Sequence, residues 1–140
     1  MNYLVFLNAK AGELEKILSG IKSMVVKEFD PAQSDGQTVS PGDGLYFLKD
    51  NDECAARVKA TAVRVCLFEN GSAEDLPHTL KEMQPKLQFT EEQYSYWSVK
   101  QKVLLVEFDS AQKTGVIHVA PNKITDRSDW IAFEDLSEIT

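Results

Sequence analysis

Residues 17–27 read ILSGIKSMVVK, and this stretch decides how the chain is organised. Leu14, Ile17, Leu18 and Ile21 recur at helical spacing, with Glu13, Glu15 and Lys16 on the other side. Gly20 stands just past that helix, where a left-handed backbone costs glycine little. From Ser23 to Phe29 the pattern changes to strand, because the β-branched Val25 and Val26 favour a pleated surface. Lys22 therefore falls between a helix end and a strand start.

Outward from this junction the chain alternates strands with turn signals. Tyr3–Leu7 reads as a short buried strand. Residues 30–40, with Pro31, Ser34, Asp35, Gly36 and Ser40, form a loop. Pro41-Gly42 suits a turn, Gly44–Lys49 is the next strand, and Asp50-Asn51-Asp52 is a polar hairpin tip. Ala55–Phe68 is a long strand whose apolar face switches near Thr61. Val58, Ala60 and Ala62 share one side and Val63, Val65 and Leu67 the other, which a β-bulge would explain.

Ser72 and Asp75 mark a helix start, with Leu76, Leu80 and Met83 on one face and Pro77 confined to the first turn. Thr90 with Gln93 is a capping-box pattern leading into Tyr94, Tyr96 and Trp97. Lys102–Asp109 and Gly115–Ala120 read as two strands joined by a polar turn. Asp129-Trp130 and Phe133–Leu136 read as a closing turn that packs an aromatic side chain on the sheet.

The 140 residues suit one domain spanning 1–140. About six strands with two or three helices in mixed order give an α+β fold around a curled sheet. No apolar run approaches membrane length, so the expected location is the cytoplasm. Cys54 and Cys66 have no histidine cluster nearby and are read as free thiols, not as zinc ligands. No metal or cofactor is expected, since the Walker, dinucleotide-binding, HExxH and nucleophile-elbow patterns are all missing. The net charge of −7 weakens long-range attraction to a polynucleotide and gives weight to a small ligand or a protein partner.

The Gly20-x-Lys22 pair, the following strand and Pro41-Gly42-Asp43 together resemble the ASCH branch of the PUA-like β-barrels. In that family the segment after the first helix commonly reads Gly-x-Lys-x-x-Glu-x-Arg. Here Gly20 and Lys22 match, while Val25 and Lys27 stand at the glutamate and arginine positions. The resemblance implies a PUA-like curled mixed barrel and a module that recognises RNA, a nucleotide or a modified nucleoside in a cleft near Lys22. On that reading Lys22 and Lys27 meet a phosphate or a polar base edge, and Tyr46, Tyr94 or Trp97 offers a stacking face.

The resemblance also implies an alternative. An amidohydrolase of the same family removes the acyl group from N4-acetylcytidine with a lysine, a threonine three residues later and a glutamate. Lys22 fits the lysine and would be the catalytic residue, but Val25 stands where the threonine is required, and Ser23 is expected on the opposite strand face. Glu74, Glu91 and Glu92 are the glutamate choices. The bland reading of Lys22 is that it caps helix carbonyls or pairs with a surface glutamate. His78 and His118 are read as solvated, and Tyr94, Trp97 and Trp130 as core before platform. A protein-interaction domain is the third reading, motivated by the acidic charge.

Overall fold

The computed structural model describes residues 1–29, 39–50, 54–69, 76–124 and 130–140. The strands are β1 (Asn2–Leu7), β2 (Met24–Glu28), β3 (Gly44–Lys49), β4 (Ala55–Glu69), β5 (Lys102–His118) and β6 (Ile131–Phe133). The helices are α1 (Glu13–Leu18), α2 (Leu76–Glu82), α3 (Gln84–Leu87) and α4 (Glu91–Ser98). The strands form one sheet in the order β2-β5-β4-β3-β1-β6. β1 and β3 run parallel and all other neighbours antiparallel, so the sheet is mixed, and it curls into a half-barrel. This is the α+β architecture the sequence predicts, with four short helices among the described residues instead of two or three.

The sheet is covered on both faces, which explains why β1 is apolar without alternation. Tyr3, Val5 and Leu7 point into a core shared with Leu14 and Ile17 of α1 and with Leu104, Val106 and Phe108 of β5. Val103 and Leu105 point the other way, onto Leu76, Leu80, Leu87 and Phe89 beneath α2–α4. A third cluster joins Leu4, Tyr46 and Leu48 to Val119, Phe133 and Ile139. The C-terminal segment is thus a strand paired with β1, with Phe133 buried and Trp130 edge-on to Tyr3 at 6.0 Å.

The switch of apolar face in β4 is a register shift. Ala62 pairs with Phe108 and Arg64 with Glu107, so Val63 is the extra residue. Val58, Ala60, Ala62 and, past the bulge, Val65 consequently pack on the same core. The expected polar turn between two late strands is absent. β5 runs through it and stays paired with β4. Between the Lys59–Gln112 and Thr61–Asp109 pairs β5 carries one residue more than β4, and Ser110 takes φ +56°. A bulge absorbs the polar residues that read as a turn, because a long partner strand can hold them in the ladder.

Two further expectations change. Leu18 and Ile21 are exposed, and Glu13, assigned to the polar side of α1, is buried beside Leu14 and Ile17. The short helix is rolled so that its first turn faces the core. The helix-start signal at Ser72 and Asp75, the residues 30–38, Asn51 and Asp52 of the hairpin tip, Glu74 and Asp129 lie outside the described residues. Among the described residues no helix is long and apolar enough to cross a membrane.

Candidate functional site

Lys22 is 1 % exposed, the largest fully buried side chain in the described residues. Three groups receive its ammonium. Glu13 Oε2 lies 3.2 Å away, the Leu87 carbonyl accepts a hydrogen bond at 2.5 Å, and the Phe89 ring centroid is at 5.3 Å. Burial drives the lysine pKa below its usual 10.5, Glu13 opposes that shift, and nearby Lys16 adds to it. Leu87 ends α3, so its carbonyl has no partner within that helix. Lys16 donates to the next carbonyl, that of Gln88, at 3.1 Å. Two lysines from the α1 segment thus cap the C-terminal end of α3. Lys22 does cap helix carbonyls, but those of a distant helix, and its glutamate is buried.

Glu13 links this pair to the surface. Its Oε1 accepts the Asn8 N–H at 2.7 Å, and Asn8 Oδ1 accepts the Ala11 N–H at 3.1 Å. Asp50, at the end of β3, accepts the Ala9 N–H at 3.1 Å. Gly12 completes the β1–α1 loop at φ +67°, a conformation that L side chains rarely adopt. These bonds tie the loop to α1 and to the end of β3, and across from it the start of α4 is fixed by the capping box that the sequence predicts. Gln93 N–H donates to Thr90 Oγ1 at 3.2 Å, and Thr90 N–H donates to Gln93 Oε1 at 3.0 Å.

A cleft of about 300 Å³ opens between this loop and α4. Phe6, Tyr96 and Trp97 form its apolar walls, with Tyr96 and Trp97 edge-to-face at 5.1 Å. Asn8, Glu13, Asp50, Glu92 and Gln93 supply the polar side. It runs into a wider groove of about 870 Å³ that shares Asn8, Asp50 and Glu92 and adds Lys10, Thr90 and Glu91. Around the first turn of α4 lies another concavity of about 470 Å³, lined by Lys81, Gln84, Phe89, Tyr94 and Ser95 together with Thr90 and Glu91.

With this geometry in view, comparison with solved structures gives a consistent result. An ASCH protein from Zymomonas mobilis superposes with a TM-score of 0.70 over 98% of this chain and 91% of its own, at 10% identity. A tyrosine-to-phenylalanine variant of it also gives 0.70, over 98% and 93%, at 12% identity. A serine-to-alanine variant gives 0.62, over 84% and 73%, at 13% identity. The chain has the ASCH fold. No protein-family model matches the sequence, and no curated protein matches it. In the ASCH fold of this chain, the likeness lies in backbone architecture and not in retained side chains.

The sequence-predicted site residues do not converge. Trp97 walls the cleft, and Tyr94 lines the neighbouring concavity with its hydroxyl donating to the Pro77 carbonyl at 3.2 Å. Tyr46 is buried in the third cluster, 5.5 Å from the Phe133 ring and under the Lys59 ammonium. Lys27 is half-buried on β2, opposite Leu104. Lys22 sits behind Glu13 and does not line the cleft. Val25 is buried in the first core cluster. Of the candidate glutamates, Glu92 lines the cleft and its groove, and Glu91 the groove and the second concavity.

Sequence reasoning passed over Glu13 and treated Gln93 as a cap alone. A signal for Glu13 was present: it precedes Ile17 by one helical turn, which places it on the same face as a core residue. Asn8 and Asp50 carry no comparable local signal, because their place depends on β1 and β3 being neighbours.

Proposed function

We propose that this chain is a single ASCH-type binding domain, 1–140, that takes the base of a nucleoside in the cleft beside Glu13. The observation that carries this reading is the cleft itself. Three aromatic side chains and several fixed polar groups surround a volume of about 300 Å³, the lower end of the range for small-ligand sites. Exposed Tyr96 and half-buried Trp97 offer ring surface, and stacking of a base on such a surface contributes about 1–3 kcal/mol. The ASCH fold agrees with this class of module, although fold alone does not assign function. Cys54 and Cys66 are free thiols, which suits work in the cytoplasm.

The charge distribution favours a nucleoside over a long RNA. Glu91, Glu92 and Asp50 line the groove, where Lys10 is the one cation among the lining residues, and the whole chain carries −7. Lys22, named as the phosphate or base-edge contact, is buried with its charge met by Glu13. In this arrangement it acts on a ligand through Glu13.

Deacylation of N4-acetylcytidine is the weaker reading, because nucleophilic catalysis needs a hydroxyl within reach of its base and the Val25 position supplies none. Fluorescence decides between binding and its absence. The chain has two tryptophans, so Trp130→Phe leaves Trp97 as the sole reporter. Saturable change on adding nucleosides, together with amide shifts in residues 8–13 and 91–97, is the expected result. A flat titration with unmoved amides overturns the reading.

A further inference from the structure

Gln93 is 8 % exposed, and only the oxygen of its amide group has a hydrogen-bond partner among the described residues. The capping box consumes Oε1, which accepts the Thr90 N–H at 3.0 Å. That bond also fixes the amide orientation, since an N–H donor requires the oxygen and not the nitrogen opposite it. The Nε2 group is thereby directed elsewhere, and it makes no hydrogen bond among the described residues. Gln93 lines the cleft, and the amide nitrogen is the part of its side chain left over for a ligand there. The helix start does not explain the amide. Glutamate at the same position closes a capping box equally well and carries no donor.

Among the described residues the acceptors of the cleft are also only partly used. Both Glu13 oxygens are used, one by Asn8 and one by Lys22. Asp50 uses Oδ1 for Ala9, and Oδ2 makes no hydrogen bond or ion pair among the described residues. The Glu92 carboxylate, next along the helix from Gln93, has no such partner there either. The cleft therefore gathers a neutral amide and carboxylate oxygens that no other described residue engages, between the aromatic walls of Phe6, Tyr96 and Trp97.

We infer that Gln93 is a base-reading residue and that the cleft takes a guanine-type base carried on a nucleoside without phosphate; this rests on the nucleoside reading of the site. Guanine presents a carbonyl acceptor followed by two N–H donors along one edge. The carbonyl meets the Gln93 amide, and the ring N–H and exocyclic amine meet the two oxygens of the Glu92 carboxylate, since one Asp50 oxygen is already taken by Ala9. Cytosine offers one donor beside two acceptors, uracil one donor between two acceptors, and adenine one amine beside one acceptor. Each of these leaves carboxylate oxygens unmatched or faces oxygen with oxygen, which a site built from fixed polar groups rejects. A phosphate adds negative charge next to Asp50, Glu91 and Glu92 and weakens binding.

The test is a calorimetric titration of the full chain with guanosine, inosine, adenosine, cytidine, uridine and guanosine 5′-monophosphate. Guanosine is expected to bind tightest, with inosine, which lacks the exocyclic amine, about tenfold weaker or worse, and the monophosphate weaker than guanosine. Gln93→Glu keeps the capping box, so its melting temperature should match the parent while guanosine affinity falls by about tenfold or more. Should Gln93→Glu not fold, the exposed Glu92→Gln decides: loss of the preference for guanosine over inosine supports the inference, and an unchanged preference overturns it. Equal binding of all five nucleosides, indifferent to both variants, overturns the guanine assignment and leaves the nucleoside site standing. No binding of any nucleoside overturns both.

Discussion

The Lys22 ammonium lies 3.2 Å from the Glu13 carboxylate, with the lysine side chain wholly buried and the glutamate side chain 10% exposed. Removing one partner of such a pair strands the other charge in a poorly solvating place. Lys22→Met is expected to cost about 3–5 kcal/mol of stability, measured by urea denaturation. The double variant Glu13→Gln with Lys22→Met should recover a large part of that loss, because neither charge then remains. If the double variant is as unstable as the sum of the singles, the pair is not coupled.

The same burial gives a pH dependence. The folded-state pKa of Lys22 is below the 10.5 of a free lysine, chiefly because burial disfavours the ammonium. Between the folded pKa and 10.5 the unfolded chain holds a proton that the folded chain has released. Stability from this group therefore rises with pH through that window, and below the folded pKa it contributes no slope. Subtracting the stability–pH curve of Lys22→Met from that of the parent isolates the effect. A difference that falls with pH in the window contradicts the assignment.

Thr90 closes the capping box at the start of α4, which carries the cleft residues Gln93, Tyr96 and Trp97. Thr90→Ala should lower stability by about 1 kcal/mol, within the usual 0.5–2 for a lost cap. The backbone N–H of residue 90 that holds the Gln93 amide survives the substitution, so nucleoside binding should weaken no more than global stability does. Thermal melts and the Trp97 titration measure the two effects separately.

Ser110 holds φ +56° within the bulge of β5. A left-handed residue with a side chain is strained, so Ser110→Gly should stabilise the protein by about 1 kcal/mol, less the entropy that glycine adds to the unfolded chain. If β5 were broken into two strands at a flexible turn, the substitution would have no stabilising effect. Chemical denaturation distinguishes these results.

Much of the fold was legible in local patterns. Gly20 does take a positive φ, +84°, past α1, and Thr90 with Gln93 does form both halves of the capping box. The face switch in β4 was visible in the parity of Val58–Ala62 against Val65, and the structure realises it as a bulge at Val63. These features depend on neighbours within a few residues. The polar run Ser110–Thr114 was misread as a turn because its strand character comes from β4, more than forty residues earlier in sequence.

The candidate site was less legible for the same reason. The sequence by itself determined β1 to β4 and the helix that ends before Gly20, the capping box at α4 and the presence of a lysine at the helix–strand junction. These follow from spacing, backbone preference and turn chemistry. Only the tertiary structure decided that Lys22 is sealed behind Glu13, that Tyr46 belongs to another cluster, and that Asn8, Asp50, Gln93 and Trp97 share one cleft. Those outcomes depend on the parallel pairing of β1 with β3 and on the docking of α1 against the end of α3, contacts between segments that no local pattern relates.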